Sequence, residues 1–172
     1  GTKTAAKLKR ENRDAEVTVI TKGADISYAG CGLPYYVGGL IEEREELIVN
    51  TPAKYSALTG VTVLTEKEAV GVNASEKTVA VKDLKTGASE SYSYDKLVIA
   101  PGASPAVPPL PGVGLPGVFP MRTPDDAIAL RTYVEEKAVK KAVVVGAGFI
   151  GLEIAENLKL KGVSVTVIDF AP

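Results

Sequence analysis

The chain has 172 residues, with 20 Lys plus Arg against 21 Asp plus Glu, so no net field gathers nucleic acid or an anionic membrane surface. One cysteine and no histidine exclude an internal disulfide, a Cys/His zinc site and a Ser-His triad within these residues. The longest uncharged run, Leu97 to Met121, holds seven prolines and four glycines and cannot cross a bilayer as a helix. Gly1 to Arg10 has no apolar core of the kind a signal peptide needs. The expected location is therefore the cytoplasm, and the expected ligands are small molecules, with no metal and no nucleic acid.

In chain order, Gly1 to Arg10 opens inside a helical pattern, with Ala5, Ala6 and Leu8 and no strand before them. Glu16 to Thr21 follows as a β-rich run containing Val17, Val19 and Ile20, which reads as the second half of a β-α-β unit. Thr51 to Leu58 is expected to be a short helix, capped by Thr51 and with Pro52 at its first position. Val61 to Leu64, Thr78 to Lys82 and Ser89 to Tyr94, with a turn at Lys85-Thr86-Gly87, predict a small antiparallel meander. Lys96 to Ala100 reads as a compact strand that breaks at Pro101-Gly102 into a Pro-rich connection to about Pro120, the expected domain boundary. Pro124 to Glu136 reads as a helix with Asp125 and Asp126 in its first turn, where carboxylates suit the dipole. Ala142 to Val145, Phe149 to Lys161 and Val163 to Ile168 complete a β-α-β unit, with Ile150, Ile154 and Leu158 on one helical face. The fold class is α/β, Rossmann-like, with a small antiparallel meander.

Gly146-Ala147-Gly148-Phe149-Ile150-Gly151 stands between that strand and that helix, where a G-x-G-x-x-G binds a dinucleotide. Gly146 permits the tight turn, Gly148 lets a pyrophosphate approach the backbone, and Gly151 lets the helix pack close to the strand. Asp169, eighteen residues beyond Gly151, closes the next strand. A carboxylate there accepts hydrogen bonds from the adenosine 2′-hydroxyl and repels a 2′-phosphate, which selects NAD(H) over NADP(H). A Gly-rich structural turn is the plainer alternative, and the strand, helix and terminal acid argue against it.

Cys31 lies between Gly30 and Gly32, just before a segment that can start a helix at Pro34. A helix N-terminus stabilises a thiolate, and the flanking glycines leave room for a flat ring or a substrate sulfur. On its residues alone, a lone cysteine reads better as a small buried apolar filler.

Taken together, Gly1 to Cys31, the Ala100-Pro101-Gly102 turn with its Pro-rich sequel, and the Gly146 fingerprint resemble the pyridine nucleotide-disulfide oxidoreductase family. The similarity runs over essentially the whole chain and is strongest to the single-cysteine branch of coenzyme A-disulfide reductases, NADH oxidases, NADH peroxidases and polysulfide reductases. The resemblance implies FAD and NAD(H) as cofactors, an FAD domain interrupted by an NAD domain, and a homodimer formed through a C-terminal domain. It also implies hydride transfer from NADH through flavin to a redox cysteine. Residues 1–120 are then expected to be an FAD-binding domain lacking its first strand, and residues 121–172 the first unit of an NAD-binding domain. By the same resemblance the sequence is expected to be truncated at both ends and inactive by itself.

Carried over residue by residue, the resemblance makes Gly1 the last glycine of the FAD fingerprint and gives Ala69 a backbone contact to the adenine. Ala100 and Gly102 match the turn beside the flavin nucleotide, and Lys22 and Gly23 match as well. Thr21 stands at a strand end where the family usually has a Glu on the FAD ribose, and a neutral hydroxyl makes the weaker contact there. Cys31 matches the redox cysteine, and Tyr36 stands where two-cysteine relatives place their second thiol. That leaves mixed-disulfide, persulfide or sulfenate chemistry. Phe149 matches an aromatic that covers the flavin face, and reads equally as packing; Ile150 lies beside it in the cofactor loop. Arg10 and Ser27 match coenzyme A contacts, while Lys7 and Gly30 depart from the Gln and Asn found in that enzyme. The implied activity is an NADH-dependent disulfide or polysulfide reductase, with an NADH oxidase or peroxidase cycling a sulfenate as one alternative. A nucleotide-binding module without turnover is the other.

Overall fold

The computed structural model describes residues 1–170. In chain order its elements are α1 (Thr2–Glu11), β1 (Thr18–Ile20), a 3-10 turn (Gly30–Gly32), α2 (Leu33–Gly38), α3 (Arg44–Leu47) and α4 (Pro52–Thr59). Then come β2 (Thr62–Leu64), β3 (Lys67–Asn73), β4 (Thr78–Asp83), β5 (Ser89–Ser93), α5 (Pro124–Glu136), β6 (Lys141–Val145), α6 (Phe149–Leu160) and β7 (Ser164–Ile168). The chain divides into two compact units, one formed by Gly1–Ser27 with Asn50–Gly102, the other by Tyr28–Val49 with the chain from Ala103 on.

In the first unit, Ala5 of α1 is buried with Tyr55 and Val61, and Ala6, Val17, Val19, Ile26 and Val63 pack around them. The Tyr55 hydroxyl donates to Thr2 O at 2.5 Å, tying α4 to the start of α1. Lys9 Nζ donates to Arg13 O and Ala15 O, both at 2.7 Å, and satisfies carbonyls beyond the end of α1. Thr51 Oγ1 caps α4 by accepting from Lys54 N at 3.2 Å, and Gly60 closes the helix at φ +73°.

Two strand readings are corrected. Val61 to Leu64 does not enter the meander: β2 pairs in parallel with β1, Thr18 opposite Thr62, which turns Val61 and Val63 into the Ala5 core. The meander's first strand is β3, antiparallel to β4, which in turn pairs with β5. The register of β3 shifts between Ala69 and Gly71, so the alternation that signals a strand is broken at that bulge. Lys96 to Ala100 forms no strand, and Val98 and Ile99 are 61% and 76% exposed. A strand exists through its ladder, and among the described residues this segment has none.

One face of the meander carries an ion cluster. Lys67 Nζ lies 2.8 Å from Asp83 Oδ2 and 2.5 Å from Glu90 Oε1, and the Tyr92 hydroxyl donates to Glu90 Oε2. The Lys67 ammonium holds the Asp83 and Glu90 carboxyls below their usual range, and the two carboxylates hold Lys67 above its own. Carboxyls depressed by folding contribute stability that is present above about pH 4, the ordinary Asp and Glu range, and lost as pH falls through their folded values. The raised Lys67 contributes below its ordinary pKa and loses that contribution as pH rises through its folded value. Lys67→Met is therefore expected to lower the thermal midpoint at pH 7 and to flatten its fall on acidification. Parallel acid melting profiles of variant and wild type would rule out the cluster as a cause.

In the second unit, β6 and β7 form a parallel pair, Lys141 opposite Ser164 through Val145 opposite Ile168. Thr123 and Asp126 close a capping box at the start of α5: Asp126 N donates to Thr123 Oγ1 at 3.3 Å and Thr123 N to Asp126 Oδ2 at 2.8 Å. The core joins Leu33 and Val37 of α2, Leu47, Ala127 and Val134 of α5, Ile154 and Leu158 of α6, and Val163. Of the apolar face read on α6, Ile154 and Leu158 are buried while Ile150 is 54% exposed.

Candidate functional site: a dinucleotide loop, a thiol turn and a nucleotide groove

The loop from β6 to α6 has the geometry its glycines foretell. Gly146 sits at φ +105°, a conformation costly for any L side chain, and Gly146 N donates to Ile168 O at 2.7 Å. At Gly151 a Cβ would lie 2.0 Å from Gly146 O and 3.3 Å from Val144 Cγ1, so helix and loop touch through bare backbone. At Gly148 a Cβ would meet nothing within 4 Å, leaving the α6 N-terminus open to an anion. Asp169 follows β7, and its Oδ2 accepts from Ala147 N at 2.5 Å, which puts the carboxylate against the loop. Phe149, the first residue of α6, is 89% exposed.

Cys31 is an exposed free thiol in the 3-10 turn that runs directly into α2. Its two neighbouring glycines differ. A Cβ at Gly30 meets open space, whereas at Gly32 it would press on Leu47 Cδ2 at 3.0 Å and Ile41 Cδ1 at 3.1 Å. Gly30 leaves room beside the thiol, and Gly32 serves packing. The turn is held at its base by Ala29 N donating to Leu47 O at 2.7 Å and by the bridge between Tyr28 and Ile48.

In the first unit, Gly1, Thr21 and Ala100 line one pocket of about 180 Å³ together with Thr2, Val19, Ile20, Asp25 and Ile26. The start of α1 and the end of β1 thus face the same space, as a nucleotide at a strand-to-helix crossing requires. Lys22 lies beyond that pocket and pairs with Glu68 Oε1 at 2.8 Å, next to the exposed Ala69 on β3. Gly102 stands at φ +76°. Arg10 is exposed and lines a different groove with Lys9, Arg13 and Thr59. Ser27 is half-buried, and its carbonyl accepts from Asn50 N at 3.4 Å. Among the described residues no helix is long and apolar enough to cross a membrane, and no group of three or more His, Cys, Asp or Glu is placed to hold a metal.

A parallel β-α-β unit with an open glycine loop, beside which stands an acid, defines a dinucleotide-binding α/β protein, here joined to a thiol-bearing turn. The chain belongs to the pyridine nucleotide-disulphide oxidoreductase family, whose model matches residues 1–172. It is 40% identical over 172 residues to an NADH oxidase of Methanocaldococcus jannaschii, covering all of this chain and 38% of that protein. It is 36% identical over 168 residues to a coenzyme A disulfide reductase of Staphylococcus haemolyticus, covering 98% of this chain and 38% of the relative. An NAD-dependent persulfide reductase from A. fulgidus superposes with a TM-score of 0.90 at 42% identity, over 97% of this chain and 31% of that one. The chain thus spans well under half the length of the relatives it matches.

Proposed function

We propose that the protein carrying this chain is an NADH- and FAD-dependent disulfide or persulfide reductase in which Cys31 takes the substrate sulfur. The observation that carries the reading is the lone, exposed thiol beside the open Gly30, in a chain that also bears a complete NAD fingerprint. The Cys31 thiolate attacks one sulfur of a disulfide, a mixed disulfide forms, and the first thiolate leaves; two electrons then cleave the mixed disulfide and release the second. NADH supplies those electrons and is oxidised to NAD+. FAD, when bound, supplies the two-electron relay between nicotinamide and sulfur.

The residues fit both cofactors. Gly1, Thr21 and Ala100 line one pocket, read as that of the FAD nucleotide, and Lys22, Ala69 and Gly102 are read as further FAD contacts from the sequence match. Gly146, Gly148, Gly151 and Asp169 are read as holding the pyrophosphate and ribose of NAD(H), and Phe149 and Ile150, both exposed, as further contacts of the cofactor; the open space at Gly148 supports that reading. Residues 1–120 are read as FAD-binding and 121–172 as NAD-binding, the last two positions lying outside the described residues. Arg10 and Ser27 are read as contacts of a coenzyme A-type substrate, the protein as a cytoplasmic homodimer. The Methanocaldococcus relative's name favours a second reading, an NADH oxidase in which Cys31 cycles through a sulfenate.

Anaerobic NADH consumption separates the two. Turnover is expected only when a disulfide or polysulfide is supplied; turnover requiring oxygen or peroxide, with none on any sulfur acceptor, would give the protein to the second reading.

A further inference from the structure

Beyond the thiol and the fingerprint, one cluster in the second unit has no part in the chemistry described. Arg131 of α5 points its guanidinium at the turn after α2. Nη1 donates to Tyr36 O at 3.3 Å, Ile41 O at 3.1 Å and Glu42 O at 3.0 Å. The guanidinium carbon lies 4.7 Å over the Tyr36 ring, and Nε pairs with Glu135 Oε1 at 3.2 Å, which also binds Lys161. One carbonyl of the six-residue α2 and two of the turn that follows it are thus gathered on one cation. A close packing contact lies alongside. Asn157 of α6 is buried, donates through Nδ2 to Glu153 O at 2.8 Å, and sets its otherwise unbonded Oδ1 so close to Gly38 that a Cβ there would lie 2.2 Å away. The helix that follows Cys31 is therefore tied to α5 by Arg131 and packs closely on Asn157 of the dinucleotide helix α6.

We propose that Arg131 is a positioning residue: by holding the C-terminal turn of α2 it fixes the Cys31 turn against the element that binds the nucleotide. The inference rests on Cys31 being the redox thiol. α2 is too short to hold its own orientation by helical bonds, since most of its carbonyls lie in its terminal turn. Without the cation the Ile41 and Glu42 carbonyls turn to water while Tyr36 O keeps only its bond from Gly39 N, and the short helix and the thiol turn before it gain freedom together.

The test uses the full protein with its flavin, in Arg131→Met, which keeps the stem and removes the donors, and in Arg131→Lys. Arg131→Met is expected to lower kcat with a disulfide acceptor about tenfold or more, the scale of one or two lost hydrogen bonds to a charged group, with KM for NADH unchanged. Amide hydrogen exchange is expected to quicken at Gly32 to Ile41 and to stay at the wild-type rate through β6 and β7. Arg131→Lys is expected to recover part of the lost kcat. Unchanged kcat, or exchange quickened evenly across the second unit with no recovery by lysine, would overturn the proposal. Retained sulfur reduction in Cys31→Ser would instead defeat the reading of the thiol, and the exchange pattern reports the clamp without reference to turnover.

Discussion

Cys31→Ser is expected to lose reduction of coenzyme A disulfide or polysulfide by several orders of magnitude while still passing hydride from NADH to flavin. The substitution trades one exposed atom in a turn whose backbone is held elsewhere, by Ala29 to Leu47 and by the packing of Gly32. Fold and nucleotide sites are therefore left as they were. What is lost is the nucleophile: a serine hydroxyl has far too high a pKa to ionise at neutral pH, and oxygen cannot form the mixed disulfide. Anaerobic stopped-flow separates the two half-reactions. Flavin bleaching by NADH should proceed at the wild-type rate, and reoxidation by the sulfur acceptor should fail. Undiminished disulfide reduction by the variant would sink the assignment, whereas loss of bleaching as well would point to damage beyond the thiol.

The β-α-β unit at the end of the chain was legible because every level of signal agrees there. Three valines make the strand, glycines make the turn, and a four-residue apolar period makes the helix; the structure places each within a residue or two. α4 was equally plain, since Thr51 and Pro52 are local signals and act locally. What escaped depends on partners distant in sequence. Val61 to Leu64 and Lys96 to Ala100 are equally β-like as strings, yet one finds β1 beside it and the other finds no ladder. The flanking glycines of Cys31 look alike in sequence and differ because Leu47 and Ile41 return to cover only Gly32. Arg131 has no sequence signal at all, its three carbonyl partners lying about ninety residues earlier. Asn157 did carry one: a polar residue three positions from Ile154 and next to Leu158 sits on a stripe that should be apolar. A buried amide of that kind marks a contact that hydrophobic periodicity cannot name.

Two glycines of one fingerprint are expected to fail in different ways when replaced by alanine. Gly148 has a φ of −69°, which alanine adopts freely, and its Cβ would meet nothing within 4 Å. Gly148→Ala should therefore melt at the wild-type temperature. On the dinucleotide reading proposed above, a pyrophosphate approaches the α6 N-terminus through that space, so the added methyl would stand between phosphate oxygens and backbone amides. NADH affinity is expected to fall tenfold or more, about 1.4 kcal/mol or above. Gly151 is the opposite case. Its Cβ would lie 2.0 Å from Gly146 O and 3.1 Å from Gly146 C, and both are backbone atoms with no rotamer to relieve the clash. Gly151→Ala must push the whole loop away from α6, at a cost of about 1 to 3 kcal/mol, the usual range for overpacking. The displaced loop also carries Ala147, whose amide holds Asp169, so on the same reading NADH binding is expected to weaken through the ribose as well as the phosphate. Thermal unfolding without nucleotide and NADH titration of each variant distinguish the two. A Gly148→Ala protein that binds NADH as tightly as wild type would show that no anion packs against that amide, and the dinucleotide reading of the loop would fall with it.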